Sequence, residues 1–179
     1  MSFLARKVRG PLWAQAGEAG RWARPDYPFE LLPDLIDKDG SGVSVWEVKS
    51  KVDPALKRIA AALTVAPNSS KTIQSVEFRL VDKSRVEALG IVVTVSPGDT
   101  QDKEINGLHR ELSPLTAARA IALLRLMNRK AQAFSAKEVA RFIAEGILHA
   151  HLPPGVLNQQ LLWSLHQQYH AIKIVVPKT

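Results

Sequence analysis

The sequence changes character at Ser113-Pro114, and this change limits the fold classes that the chain can adopt. Before it, short runs of strand-forming residues, such as VSVWEVK at 43–49 and IVVTVS at 91–96, are separated by turn-rich segments. After it, residues 114–132 are rich in Ala and Leu, and residues 135–150 repeat apolar side chains at helical spacing. The order predicts an α/β or α+β protein in which a small sheet precedes a helical C-terminal part.

The region before this change predicts a β-hairpin over residues 28–49. Residues 28–36 (PFELLPDLI) are interpreted as an extended segment, and Pro33 favours an edge strand because proline cannot donate to a ladder. The turn residues DKDGSG follow, and VSVWEVK forms the second strand. Residues 73–81 alternate and predict a further strand, whereas 96–113 is interpreted as a polar connection.

Helix signals divide the rest of the chain. Asp53-Pro54 predicts a helix start, because Asp is favoured at the N-cap and Pro at the first helical position. Ser135 and Glu138 form a capping box for a second helix. A further helix is expected at about 155–170, and IKIVV near the C-terminus predicts a final strand. The segments expected are an N-terminal arm at 1–26, an α/β core at 27–112 and a basic helical part at 113–179.

Composition excludes several classes of protein. The chain has no cysteine, so disulfides, thiolate metal sites and cysteine nucleophiles are excluded, which fits a reducing compartment. It contains no run of about 18 apolar residues, and its start carries charges without an apolar region after them. We therefore expect a cytoplasmic protein without a membrane partner.

The positive charge is distributed unevenly along the sequence. The formal net charge is +7; residues 1–113 hold 16 Lys/Arg and 15 Asp/Glu, whereas 114–179 hold 8 and 2. A basic region of this kind predicts a DNA, RNA or acidic protein partner, and the alternative is a solvated helical surface. The predicted nucleic-acid contacts are Arg119, Arg125, Arg129, Lys130, Lys137 and Arg141.

The predicted hairpin also carries the residues of a catalytic motif. Pro33-Asp34, a turn, and then Glu47-Val48-Lys49 resemble the core motif of the PD-(D/E)xK phosphodiesterases, the restriction-endonuclease-like nucleases. In a strand, Glu47 and Lys49 project to the same side because they are two residues apart. The resemblance covers residues 30–65.

This resemblance implies a set of roles. Asp34, Glu47 and Lys49 would be catalytic, and Asp34, Asp37 and Glu47 would hold Mg²⁺, which prefers hard oxygen ligands. The metal would polarise a phosphate and help to generate hydroxide from bound water. Lys49 would orient that water or balance developing charge.

Other patterns leave alternatives open. FSAKEVARFI and LLWSLHQQYHAIKIVV resemble helices of winged-helix modules, which implies binding to nucleic acid without catalysis. Asp37 and Asp39 resemble the start of an EF-hand loop, but Val48 occupies the position of the bidentate Glu. The histidines cluster near the C-terminus, where they could bind zinc: His149, His151, His166 and His170.

Three functions follow from these patterns. The first is a nucleic-acid-associated, metal-dependent nuclease that acts through the 33–49 hairpin. The second is a non-enzymatic nucleic-acid-binding module, and the third is an adaptor or structural subunit of a larger assembly.

Overall fold

A computed structural model describes residues 2–14, 27–36, 42–66, 72–129 and 131–168. Contacts group the chain into two units, each assembled from separated segments. Unit 1 comprises Met1–Asp53, Val76–Gly98 and Gly107–Ala133, and unit 2 comprises Pro54–Ser75, Asp99–Asn106 and Phe134–Thr179. These units do not follow the predicted boundaries after residues 26 and 112.

The sheet is mainly part of unit 1. Within the described residues it has six strands: β1 (Phe3–Val8), β2 (Val43–Val48), β3 (Val76–Asp82), β4 (Val92–Val95), β5 (His109–Ser113) and β6 (Ala131–Phe134). Their order is β4-β5-β2-β1-β3-β6. The ladders β1–β2, β1–β3, β2–β5 and β4–β5 are antiparallel. An antiparallel sheet combined with helices confirms the α+β class.

The helices in the described residues are α1 (Gly10–Ala14), α2 (Tyr27–Leu35), α3 (Pro54–Thr64), α4 (Lys83–Glu87), α5 (Lys103–Asn106), α6 (Ala117–Met127), α7 (Ala136–Leu148) and α8 (Gln159–Gln168), with a 3₁₀ turn at Pro154–Val156. No helix among these residues is long and apolar enough to cross a bilayer.

The core of unit 1 lies on one face of the sheet. Alternation along β1 directs Leu4 and Val8 to this face, where both are buried. Trp13 from α1 and Leu31 from α2 are fully buried in the same cluster, as is Leu123 from α6. Helices α2 and α6 pack against each other, so they cover the sheet together.

Unit 2 is built on the pairing of α3 with α7. Ile59 of α3 and Val139 and Ile143 of α7 are fully buried. Helix α3 begins at Pro54, as predicted, and the predicted capping box of α7 is present: Ser135 Oγ accepts from the Glu138 amide, and the Glu138 carboxylate accepts from the Ser135 amide at 2.8 Å.

The predicted hairpin at 28–49 is wrong in its first half. Residues 27–35 form helix α2, and residues 37–41 lie outside the described part of the chain. The helix is favoured because Leu31 and Leu35, four residues apart, are both fully buried, while Pro33 is exposed. The second half is confirmed as β2, which pairs with β1 and β5 instead. The predicted final strand at IKIVV lies outside the described residues.

The end of α7 holds one residue in a strained backbone conformation. Ala150 has φ of 57°, in the left-handed region that favours glycine. This conformation lets the amides of His151 and Leu152 donate to the Gly146 carbonyl at 2.8 and 3.0 Å. The bonds resemble those of the helix C-terminal motif that usually contains glycine after the last turn.

We expect Ala150→Gly to stabilise the protein by about 0.5–1 kcal/mol, because glycine relieves the left-handed strain but adds freedom to the unfolded chain. Urea denaturation would measure the change. The control is Ala144→Gly inside α7, which should destabilise by about 1 kcal/mol. A loss of stability in Ala150→Gly would contradict this interpretation.

Candidate functional site

The Glu47 carboxylate lies at the centre of a charged cluster in unit 1. Its Oε1 accepts from Ser2 Oγ at 2.9 Å and from Lys83 Nζ at 3.0 Å, and its Oε2 accepts from Arg110 Nε at 2.9 Å. We call Ser2, Glu47, Lys83 and Arg110 the Glu47 cluster. Both carboxylate oxygens of Glu47 are therefore engaged.

Four strands bring this cluster together, because Ser2 precedes β1, Glu47 lies in β2, Lys83 follows β3 and Arg110 lies in β5. Glu47 lies opposite Leu4 in the β1–β2 ladder, near the start of β1. Arg110 comes from β5, the other neighbour of β2, and also donates to the Gly107 carbonyl at 2.7 Å. Lys83 follows β3 directly, and its amide donates to the Ser2 carbonyl at 3.1 Å.

The charge state of Glu47 follows from these contacts. Burial by itself would raise the pKa of Glu47, but hydrogen bonds from Lys83, Ser2 and Arg110 favour the ionised form and lower the pKa below its usual value. Glu47 is therefore a fixed negative charge between two cations.

A depression of about 330 Å³ opens to solvent beside this cluster. Its lining residues come from the start of the chain, the end of β2 and helix α4: Ser2, Lys49, Lys83, Ser84 and Glu87. We call it the Lys49 depression. The side chain of Lys49 is exposed, and its amide donates to the Asp53 carboxylate at 2.7 Å.

Asp34 lies in a different place and has its own partners. Its carboxylate accepts from the Arg9 amide at 3.0 Å, from Arg9 Nε at 2.7 Å and from Trp13 Nε1 at 2.7 Å. Burial would raise the pKa of Asp34, but the hydrogen bonds from Arg9 and Trp13 outweigh it and lower the pKa.

The structure does not bring Asp34 and Glu47 together. Glu47 lies opposite Leu4, whereas Asp34 bonds to Arg9, five residues further along the chain, which corresponds to roughly 16 Å of extended strand. The two carboxylates therefore serve opposite ends of β1. Asp37 lies outside the described residues, and within those residues no three His, Asp or Glu side chains gather as metal ligands.

The predicted nucleic-acid contacts are divided between the units. Unit 1 contains Arg119, Arg125 and Arg129, unit 2 contains Lys137 and Arg141, and Lys130 lies outside the described residues. The three helices of the predicted winged-helix part are divided likewise, with α6 in unit 1 and α7 and α8 in unit 2.

These basic side chains also differ in the contacts that they make within the described residues. Arg119 donates to the Pro114 carbonyl at 3.4 Å, and Arg141 approaches Glu145 at 3.6 Å and stacks over the Phe142 ring. Arg125 and Arg129 are exposed, four residues apart, and no ion pair to either is found among the described residues. Arg125 lies in the last turn of α6, and Arg129 follows its C-cap residue, Asn128.

The histidines give no metal site in the described part of the chain. The rings of His149 and His151 are 6.3 Å apart and are tilted to each other. The side chain of His166 and the whole of His170 lie outside the described residues.

Sequence reasoning identified Glu47 and Lys49 but not their partners. Ser2 belonged to the predicted arm and Arg110 to the predicted polar connection, and no predicted role fell on Lys83. No local pattern links these positions, because the strand order that unites them depends on pairing between distant segments.

No protein-family model, curated protein or solved structure matches this chain. The geometry therefore carries the functional argument alone.

We expect Asp34→Asn to destabilise the protein by about 2 kcal/mol at pH 7, because the neutral amide weakens the bonds from Arg9 and Trp13. The folded pKa of Asp34 lies below the ordinary value of 3.8, so its stabilisation is present above that value and is lost as the pH falls through the lower folded pKa. The difference between the two proteins should therefore shrink in acid.

Denaturant unfolding at pH 7 and at several pH values below 4 would check both statements. Asp99→Asn, the same change at an exposed position, should alter the free energy of unfolding by less than about 0.5 kcal/mol. An equal effect of the two substitutions at pH 7 would contradict the anchoring role of Asp34.

Proposed function

We propose that this protein binds DNA or RNA without cutting it, through phosphate contacts made by Arg125 and Arg129. The observation that supports the proposal is a pair of exposed arginines at the C-terminal end of α6, with no ion pair to either within the described residues. Guanidinium groups bind phosphate oxygens in a fixed fork geometry, which suits contacts to a nucleic-acid backbone.

The charge of unit 1 supports the same surface. Unit 1 holds 16 Lys/Arg and 12 Asp/Glu. Its segment 107–133 alone holds five Lys/Arg and one Asp/Glu, and the rest of the unit holds 11 of each. The positive excess of unit 1 therefore belongs to the segment that carries α6. Such a local excess attracts a polyanion in a salt-dependent manner.

Binding without cleavage is favoured because the carboxylates of the resemblance already have other partners. Glu47 accepts from Ser2, Lys83 and Arg110, and Asp34 accepts from Arg9 and Trp13. A metal at either site would have to displace a cation that is already bound. A nuclease that acts through Asp34, Glu47 and Lys49 with Mg²⁺ is therefore the less favoured proposal. If the protein does not bind nucleic acid, the proposal that remains is an adaptor subunit of a larger assembly.

We expect the double substitution Arg125→Gln and Arg129→Gln to weaken nucleic-acid binding and to flatten its salt dependence. Two lost phosphate contacts should lower the slope of log K against log salt by about 1.4 for single strands and about 1.8 for duplexes. Fluorescence anisotropy with labelled DNA and RNA over a range of salt would measure both quantities.

A matched control is Arg85→Gln, which removes an exposed arginine that approaches Asp82 at 3.7 Å. It should leave the salt slope nearly unchanged. If Arg85→Gln lowers the salt slope by as much per charge removed as the double variant does, the effect is one of net charge and the proposed surface is wrong. If the wild type binds neither DNA nor RNA, the adaptor reading replaces it.

We also expect no cleavage that depends on Glu47. Labelled single- and double-stranded DNA and RNA would be incubated with Mg²⁺ or Mn²⁺, with the wild type and Glu47→Gln in parallel. Because Glu47 balances Lys83 and Arg110, Glu47→Gln should lower stability, so its folding would be verified by circular dichroism. Cleavage by the wild type that a folded Glu47→Gln lacks would contradict binding without catalysis.

A further inference from the structure

We infer that the Lys49 depression is a binding site for a phosphomonoester group, distinct from the arginine surface of α6. The depression combines two lysines, two serines and one acid around an open volume of about 330 Å³: Ser2, Lys49, Lys83, Ser84 and Glu87. Neither Arg125 nor Arg129 lines this depression.

The Glu47 cluster supplies excess positive charge next to the depression. One carboxylate, Glu47, is bound by two cations, Lys83 at 3.0 Å and Arg110 at 2.9 Å. An ammonium group has three donors, and the only described contact of Lys83 Nζ uses one of them. Lys83 can therefore donate to a ligand in the depression while it stays bound to Glu47.

Glu47 also holds Lys83 in place for this purpose. The Lys83 side chain is only 28% exposed, and its amide donates to the Ser2 carbonyl at 3.1 Å, so its backbone and its ammonium group are both fixed at the same end of the sheet. A cation that is positioned before the ligand arrives loses less freedom on binding.

Lys49 adds a second ammonium group to the lining. Its side chain is exposed, and no ion pair to it is found in the part of the chain that the structure describes. Its amide bond to the Asp53 carboxylate fixes the backbone at the end of β2. Nearby, Lys51 Nζ lies 6.0 Å from the centroid of the Phe3 ring, which adds a further positive charge at this end of the sheet.

The balance of charge selects the ligand class. Lys49 and Lys83 line the depression together with one acid, Glu87, while Arg110 offsets Glu47 and Lys51 offsets Asp53, so the neighbourhood has about one positive charge in excess. A phosphomonoester carries nearly two negative charges at neutral pH, whereas a phosphodiester inside a nucleic-acid strand carries one. Ser84 is exposed on the lining and offers a hydroxyl donor. Two ammonium groups on one lining, Lys49 and Lys83, suit the nearly two negative charges of a terminal phosphate better than the single charge of an internal one.

Glu87 and Lys49 carry opposite charges on the same lining, so neutralising each should change the affinity for a phosphate in opposite directions. Glu87 is exposed and lines the same depression, where its carboxylate repels an anionic ligand. Lys49→Gln should weaken binding of a phosphomonoester about tenfold, the loss of one contact to a charged group. Glu87→Gln should strengthen it about threefold. A phosphate bound elsewhere on the chain, well beyond the screening length of about 8 Å at physiological salt, would respond to neither substitution.

The experiment uses the full chain and two pairs of probes. Adenosine 5′-monophosphate is compared with adenosine by isothermal titration calorimetry, and a 5′-phosphorylated oligonucleotide is compared with its 5′-hydroxyl form by anisotropy. Wild type, Lys49→Gln, Glu87→Gln and the double variant Arg125→Gln/Arg129→Gln are tested in parallel. Lys49 and Glu87 are both exposed, so these variants should fold normally.

The expected result is that the monophosphate binds more tightly than adenosine, that Lys49→Gln removes this preference, and that Glu87→Gln increases it. If only the 5′-phosphorylated oligonucleotide shows an advantage that Lys49→Gln removes, the natural source of the group is a nucleic-acid end. If both phosphorylated probes show it equally, the source is a small phosphomonoester. Either of two results would overturn the inference. The first is that monophosphate and adenosine bind equally and the 5′-phosphorylated oligonucleotide has no advantage over its 5′-hydroxyl form. The second is that Lys49→Gln behaves like the wild type.

The two proposals fail separately in this design. Monophosphate binding that persists when neither oligonucleotide binds would remove the nucleic-acid proposal and leave the phosphomonoester site standing. The opposite result is oligonucleotide binding that is lost in the Arg125/Arg129 variant but does not depend on the 5′ phosphate or on Lys49. It would remove the phosphomonoester site and leave the nucleic-acid proposal standing.

Discussion

The ladders on both edges of β1 hold the sheet together. β1 pairs with β2 on one side and with β3 on the other, and in the strand order it alone joins the group β4-β5-β2 to the pair β3-β6. A strand in this position cannot slip by one residue, because Leu4 and Val8 would then leave the core face. The first residues of the chain therefore organise segments that follow more than 30 residues later.

Both carboxylates of the motif-like pattern anchor this strand. At its end, Asp34 binds Arg9 and, through Trp13, ties helix α1 to α2. At its start, Glu47 binds Ser2 and joins it to Lys83 and Arg110. Asp34 and Glu47, the two acids of the pattern that resembles a nuclease motif, therefore both make contacts that stabilise the fold. The local sequence could not distinguish these two interpretations, because the partners of Glu47 come from Ser2, α4 and β5, and those of Asp34 come from Arg9 and α1.

The sequence predicted elements whose signals are local. The start of α3 at Pro54 and the capping box of α7 depend on neighbouring residues, and β2, β3 and β4 have continuous or alternating apolar patterns. The elements that were missed depend on distant contacts. β5 (HRELS) is polar because Arg110 pairs with Glu47, and β1 contains Arg6 on the core face, where it donates to the carbonyls of Ser44 and Asp34. Polar residues with tertiary partners hide the alternation on which strand prediction depends.

The division into units also changes the meaning of the charge pattern. Read along the sequence, the excess lies in residues 114–179, which suggested one basic helical part. In the fold, α6 joins unit 1 and α7 joins unit 2, where Arg141 approaches Glu145 and Lys57 lies 5.8 Å over Phe142. A polyanion is attracted by the excess of Lys/Arg over Asp/Glu within one unit. In unit 1 this excess lies in segment 107–133. Arg110 belongs to the same segment but is paired with Glu47. Because Arg110 balances the charge of Glu47, the charge of Lys83 remains available to the Lys49 depression. A single segment thus accounts for both the exposed arginines and the charge balance of the neighbouring site.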